Sequence, residues 1–139
     1  MRLMIGQTLF HALARTPELR SLAIAEVQMM TAVRLWIIMV KLGHNPLPAV
    51  TERLGNPRAA SHLHLLMEEV GAAWPDPFCA APPCCGRLSH DEAVLLDMVR
   101  VAGDDDRPGF DRLLQELLPA DMRERLFLSA SVLSRALVA

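Results

Sequence analysis

The side chains in this sequence that could do chemistry crowd into one stretch: Cys79, Cys84 and Cys85, followed closely by His90. Thiolates and imidazole are ligands that zinc prefers, and the positive end of a helix lowers the pKa of a thiol placed just before it. The chemistry on offer is therefore metal binding or thiol redox chemistry. Structural zinc sites usually pair their ligands as C-x2-4-C, whereas neighbouring cysteines point in different directions and seldom share one metal. The favoured reading is that the three cysteines are small residues packing a proline-rich loop, with His90 exposed in the first turn of the next helix. No cofactor is expected, and zinc on Cys79, Cys84, Cys85 and His90 is the alternative. Cys84 and Cys85 can pair with each other only as a strained disulfide that is easily reduced.

Elsewhere the ionisable residues are poorly spaced for catalysis. Glu68-Glu69 and Asp91-Glu92 are adjacent pairs whose members face different sides of a helix, and His62 and His64 do not face each other either. Of those two histidines, one should be exposed and the other partly buried. The sequence holds no glycine-rich phosphate loop, no H-E-x-x-H and no E-x-x-H pair of the kind that builds a di-iron site in a bundle. Met29, Met30 and Met39 read as core filler. An enzyme is not the expectation.

At 139 residues the chain is long enough for one domain whose core needs neither disulfides nor metal. A hydrophobic share of 52% with only 4% aromatics makes that core from Leu, Ala, Val and Met, which favours closely packed helices. The net charge of -2 provides no general attraction to nucleic acid or anionic lipid. Three cysteines cannot all pair, so a secreted disulfide framework is not expected and a reducing cytoplasm fits better. Ala12-Leu13-Ala14 has an A-x-A look, but Gln7 and His11 interrupt the apolar run before it, and Leu3, Phe10, Leu13 and Ala14 form one face of a helix over residues 3–15 instead.

The element around which the rest must be arranged is predicted over residues 17–42. Thr16 is placed to cap it, Pro17 and Glu18 suit its first turn, and Lys41 and Gly43 suit its end. Its most polar line, Arg20, Ile24, Val27, Thr31, Arg34, Ile38 and Lys41, still carries three aliphatic residues. Such a helix needs neighbours on most sides, so it is read as the central helix of an all-α, single-domain bundle of about six helices spanning residues 1–139. Glu26, Gln28 and Arg34 make it a poor membrane span. Part of its face is expected to be covered by a second copy, making the protein a homodimer.

Shorter helices follow. One runs from Asn45-Pro46 to Gly55, and the next from Asn56-Pro57 to about residue 70, with Ala59, Leu63, Leu66, Met67 and Val70 on its buried face. Residues 72–88 contain four prolines and a glycine and are read as a long loop pinned by Trp74, Phe78 and Leu88. Ser89 opens a helix through a capping box with Glu92. Asp104, Asp105 and Asp106 form an acidic turn, a helix from Phe110 runs to Pro119, and the last begins near Asp121.

Two stretches resemble known families. The run Ala81-Pro82-Pro83-Cys84-Cys85-Gly86-Arg87-Leu88-Ser89-His90-Asp91-Glu92 resembles the signature of a small bacterial family of unknown function, in which Pro-Cys-Cys is followed by Arg, an aliphatic residue, Ser or Thr, and Asp-Glu opening a helix. Pro83 stands where that signature has a third cysteine. The resemblance implies an all-helical fold and no particular chemistry. The run from Pro48 to Gly71 resembles the helix-turn-helix of winged-helix transcription regulators, which implies that Arg53, Arg58, Ser61 and His62 face DNA. Glu68-Glu69 and the overall acidity disfavour that partner. The expected function is therefore a small cytoplasmic interaction or regulatory module without an active site; a DNA-binding regulator is the first alternative and a metal- or redox-responsive protein the second.

Overall fold

The computed structural model describes residues 16–138, so the helix predicted over 3–15 and the A-x-A segment lie outside the described residues. Those residues form an all-α bundle: α1 (Ile24–Lys41), α2 (Leu47–Leu54), α3 (Pro57–Ala73), α4 (His90–Gly103), α5 (Arg107–Leu114) and α6 (Ala120–Val138), with a 3-10 turn at Leu19–Ser21 before α1. Among the described residues no helix is long and apolar enough to cross a membrane.

Helix α1 starts at Ile24, later than the proline at residue 17 suggests. Its would-be first turn is engaged elsewhere. Thr16 Oγ1 donates to the Leu88 carbonyl at 2.6 Å instead of capping a helix. Leu88 N donates to Pro17 O at 3.1 Å and Leu19 N to Gly86 O at 2.7 Å, with Glu18 and Arg87 forming an antiparallel bridge. Backbone groups committed to another segment cannot start an i to i−4 ladder, so the chain takes a short 3-10 turn and enters α1 at Ala23, whose amide donates to Glu26 Oε1 at 3.1 Å.

Glu26 also receives Arg100 of α4, Nε to Oε2 at 2.7 Å and Nη2 to Oε1 at 3.0 Å. The Arg100 guanidinium holds the Glu26 carboxyl below its ordinary pKa. A depressed carboxylate pKa contributes stability above the unfolded value and loses it as pH falls through the folded value. Glu26→Gln is accordingly expected to flatten the acid side of the stability curve and, for so solvent-screened a pair, to cost under about 1 kcal/mol at neutral pH. Urea unfolding across a pH series checks both.

Helix α1 packs mainly on α2 and also touches α3 and α4, while α6 packs on α3, α4 and α5. Its inward residues Leu126, Ala130, Ser131, Leu133 and Ala136 are buried, and the small ones let adjacent backbones approach. Asn56 ties the pair together: its Oδ1 accepts the amides of Arg58 and Ala59 as the cap of α3, while its Nδ2 donates to Ala136 O at 3.2 Å. Helix α5 begins at Arg107, earlier than Phe110, because Asp106 caps it by accepting the Gly109 amide at 2.9 Å. It also ends at Leu114, before Pro119; Leu114 and Leu118 are buried, whereas Leu113 and Leu117 are exposed. From α1 the core takes only Met29, Met30, Ala32 and Val33 as fully buried apolar residues.

Candidate functional site

Arg34 sits in the middle of the most apolar helix, with no acidic residue one turn away along α1 to receive its charge. It is nonetheless 2% exposed, facing a fully buried Glu92 in the first turn of α4. Guanidinium and carboxylate meet in the fork geometry that suits both planar groups, Nε to Oε2 at 2.8 Å and Nη2 to Oε1 at 3.1 Å. The other donors turn to the loop before α4. Nη1 reaches Cys85 O at 2.7 Å and Pro82 O at 3.2 Å, and Nη2 reaches Arg87 O at 3.0 Å. All five guanidinium N–H groups are thereby used. The Glu92 carboxylate raises the Arg34 pKa, outweighing the opposing effect of burial.

Glu92 serves a second purpose. Its Oε1 accepts the Ser89 amide at 2.7 Å while Ser89 Oγ accepts the Glu92 amide at 3.1 Å, the reciprocal capping box expected of this sequence. Ser89 Oγ also donates to Cys79 O at 2.6 Å. Asp91 Oδ2 accepts the Cys79 amide at 2.8 Å. Arg87 pairs with Glu18 at 2.9 Å and donates to the carbonyl of Thr16. The residues that carry the Pro-Cys-Cys resemblance are thus bound into one clamp: α1 holds the loop, and the loop holds Thr16–Leu19.

The anchors predicted for the loop hold it. Leu88 is buried, and Trp74 and Phe78 are half-buried against the core with ring centroids 5.8 Å apart. Cys79, Cys84 and Cys85 are free thiols, the first two exposed and the third half-buried, with Cys85 Sγ donating to Arg87 O at 3.3 Å. His90 is exposed in the first turn of α4. Among the described residues no three His, Cys, Asp or Glu side chains are gathered as a metal-holding group. The four sequence candidates for zinc share a loop and a helix start without being drawn together.

The four DNA candidates lie on the α2–α3 corner. Arg53, Arg58 and Ser61 are exposed and His62 is half-buried, with Gly55 in the left-handed region at φ 65 turning the chain between the helices. After α3, residues 74–89 form turns and extended backbone, with no β-hairpin. His62 and His64 are both half-buried, so the expectation of one exposed histidine is corrected. His64 bridges helices: Trp36 Nε1 donates to its Nδ1 at 2.9 Å, leaving Nε2 to carry the proton toward Glu68 Oε1, also at 2.9 Å.

On sequence alone Arg34 falls on the polar stripe of the helix and Glu92 has only its capping role. The signal for their pairing was present: a charge in an apolar helix without an i±3 or i±4 partner must be met from another element. Comparison of the chain with protein-family models, curated proteins and solved structures gives no match.

Proposed function

We propose that the chain is a non-enzymatic interaction module of the cytoplasm that works as a homodimer, paired through the outer face of α1. The observation that carries this reading is a heptad seam outside the core, flanked at Leu35 by Ala49, Glu52 and Arg53 of α2. Ile24, Gln28, Thr31, Leu35, Ile38 and Leu42 recur at alternating intervals of four and three, the spacing with which two helices pack side by side. Ile24 is 79% and Leu42 64% exposed, Gln28 is exposed, and Thr31, Leu35 and Ile38 are half-buried.

The core takes Trp36 and Ile37 from the same helix and leaves Leu35 and Ile38 aside. A helix this apolar, with Ile24 and Leu42 exposed and Leu35 and Ile38 only half-buried, gains by covering that side. Gln28 gives the seam one polar position, which in paired helices sets register at some cost in stability. The Arg34 clamp suits this role, because it fixes α1 against α4 and so presents the seam on a rigid support. The three free thiols suit a reducing compartment.

Gel filtration with light scattering is the test. The account expects twice the 15.4 kDa chain mass at micromolar concentration, and a single chain mass there rejects it.

A further inference from the structure

We propose that Cys84 and Cys85 form a thiol–disulfide switch, closed by a low-molecular-weight disulfide, whose closure releases the loop from Arg34 and frees the Thr16–Leu19 segment that the loop holds. The two free thiols are adjacent, one exposed and one half-buried. Exposed Cys84 is open to a small oxidant, and Cys85 lines an open cleft with Glu18, Leu19, Arg20, Gly86 and Arg87.

The Cys84 thiolate attacks one sulfur of the small disulfide and expels a first thiolate, which takes up the proton Cys84 gave to solvent. Cys85 Sγ then attacks Cys84 Sγ, the second small thiolate leaves, and it takes the proton lost by Cys85. The two cysteines are oxidised and the small disulfide is reduced to two thiols.

Closure cannot leave the surroundings unchanged. Disulfide-bonded residues ordinarily stand 4.4–6.8 Å apart at Cα, whereas adjacent residues across a trans peptide stand about 3.8 Å apart, so the ring must distort the peptide between Cys84 and Cys85. That peptide lies inside the turn whose two ends the clamp holds. Cys85 N donates to Pro82 O at 2.9 Å, closing a turn over residues 82–85. The carbonyls at both ends of the turn, Pro82 and Cys85, accept from Arg34 Nη1. Oxidation also removes the proton that Cys85 Sγ donates to Arg87 O, the same carbonyl that Arg34 Nη2 holds.

With Arg34 only 2% exposed, water does not replace acceptors that turn away, and the loss passes along the loop to the Gly86 carbonyl and Leu88 amide that bind Leu19 and Pro17. Linkage runs both ways: an intact clamp keeps the pair as dithiol, and a loosened clamp lets it close.

The test uses the full chain carrying Cys79→Ser, treated with glutathione disulfide and followed by intact mass and amide hydrogen exchange. The expected product has lost two hydrogens and carries no adduct. In it the amides of Leu19, Cys85 and Leu88 exchange at least about tenfold faster than in the reduced chain, while those of α3 are unchanged. Reductant restores both readings, and Cys84→Ser abolishes the accelerated exchange. A chain that stops at the mixed disulfide or stays reduced overturns the proposal. So does a closed pair with unaltered exchange at those three amides, or acceleration that persists in Cys84→Ser.

Discussion

Replacing Arg34 by methionine is expected to lower stability by about 3–5 kcal/mol, because it leaves the Glu92 carboxylate buried without its counter-charge. For a chain of this size that corresponds to a fall in Tm of roughly 10–20 °C. The loss should also be local in character. Pro82, Cys85 and Arg87 each lose a guanidinium donor, so the loop from Pro82 to Leu88 should exchange its amides faster than α3 or α6. The double variant Arg34→Met with Glu92→Met separates charge burial from packing. With both charges gone, no unpaired ion remains, and much of the lost stability should return even though the capping box is broken. A double-mutant cycle by urea unfolding gives the coupling directly. If the single Arg34→Met variant unfolds within about 0.5 kcal/mol of the parent, the clamp does not organise the loop.

The second large effect concerns association. Ile38 sits on the outer seam of α1, half-buried and outside the core, so a charge placed there meets water in a single chain and apolar surface in a pair. Ile38→Glu is therefore expected to weaken dimerisation by about two orders of magnitude or more, since it desolvates a carboxylate without a partner. The stability of the separated chain should change by less than about 1 kcal/mol. Val33→Glu is the contrasting control. Val33 is fully buried in the core, and the same substitution there should unfold the domain instead of dissociating it. Sedimentation velocity with circular dichroism distinguishes the two outcomes. An Ile38→Glu chain that stays dimeric removes the seam from the interface.

Much of this architecture follows from local pattern. The caps at Ser89 and Asn56, the glycine ends at Gly43 and Gly55, and the apolar spacing of Leu63, Leu66, Met67 and Val70 place helices that the structure contains. Such features act within a few residues, so the sequence displays them. The start of α1 does not follow, because Thr16, Pro17 and Leu19 answer to Gly86 and Leu88, far along the chain. The position of α6 among its neighbours does not follow either. Its small buried residues Ala130, Ser131 and Ala136 gain their value only from the helices they approach.

The candidate site divides along the same line. The Pro-Cys-Cys stretch was conspicuous from composition, and Ser89 with Glu92 from a short-range motif. What binds them is Arg34, distant in sequence, and its burial arises because a carboxylate and three carbonyls are delivered together by two other segments. An exposed thiol looks the same in sequence as a buried one; the difference between Cys84 and Cys85 comes from the turn that Arg34 draws inward.

Hydroxyl-radical footprinting of the chain across a dilution series tests the pairing of α1 most directly, because it reads which side chains are covered. The account predicts that Leu35, Ile38 and Leu42 are shielded at high concentration and label several-fold faster on dilution, while Leu65 and Leu128, exposed on α3 and α6, label equally throughout. Labelling of Ile38 and Leu42 that does not depend on concentration, or shielding confined to Leu65 and Leu128, contradicts it.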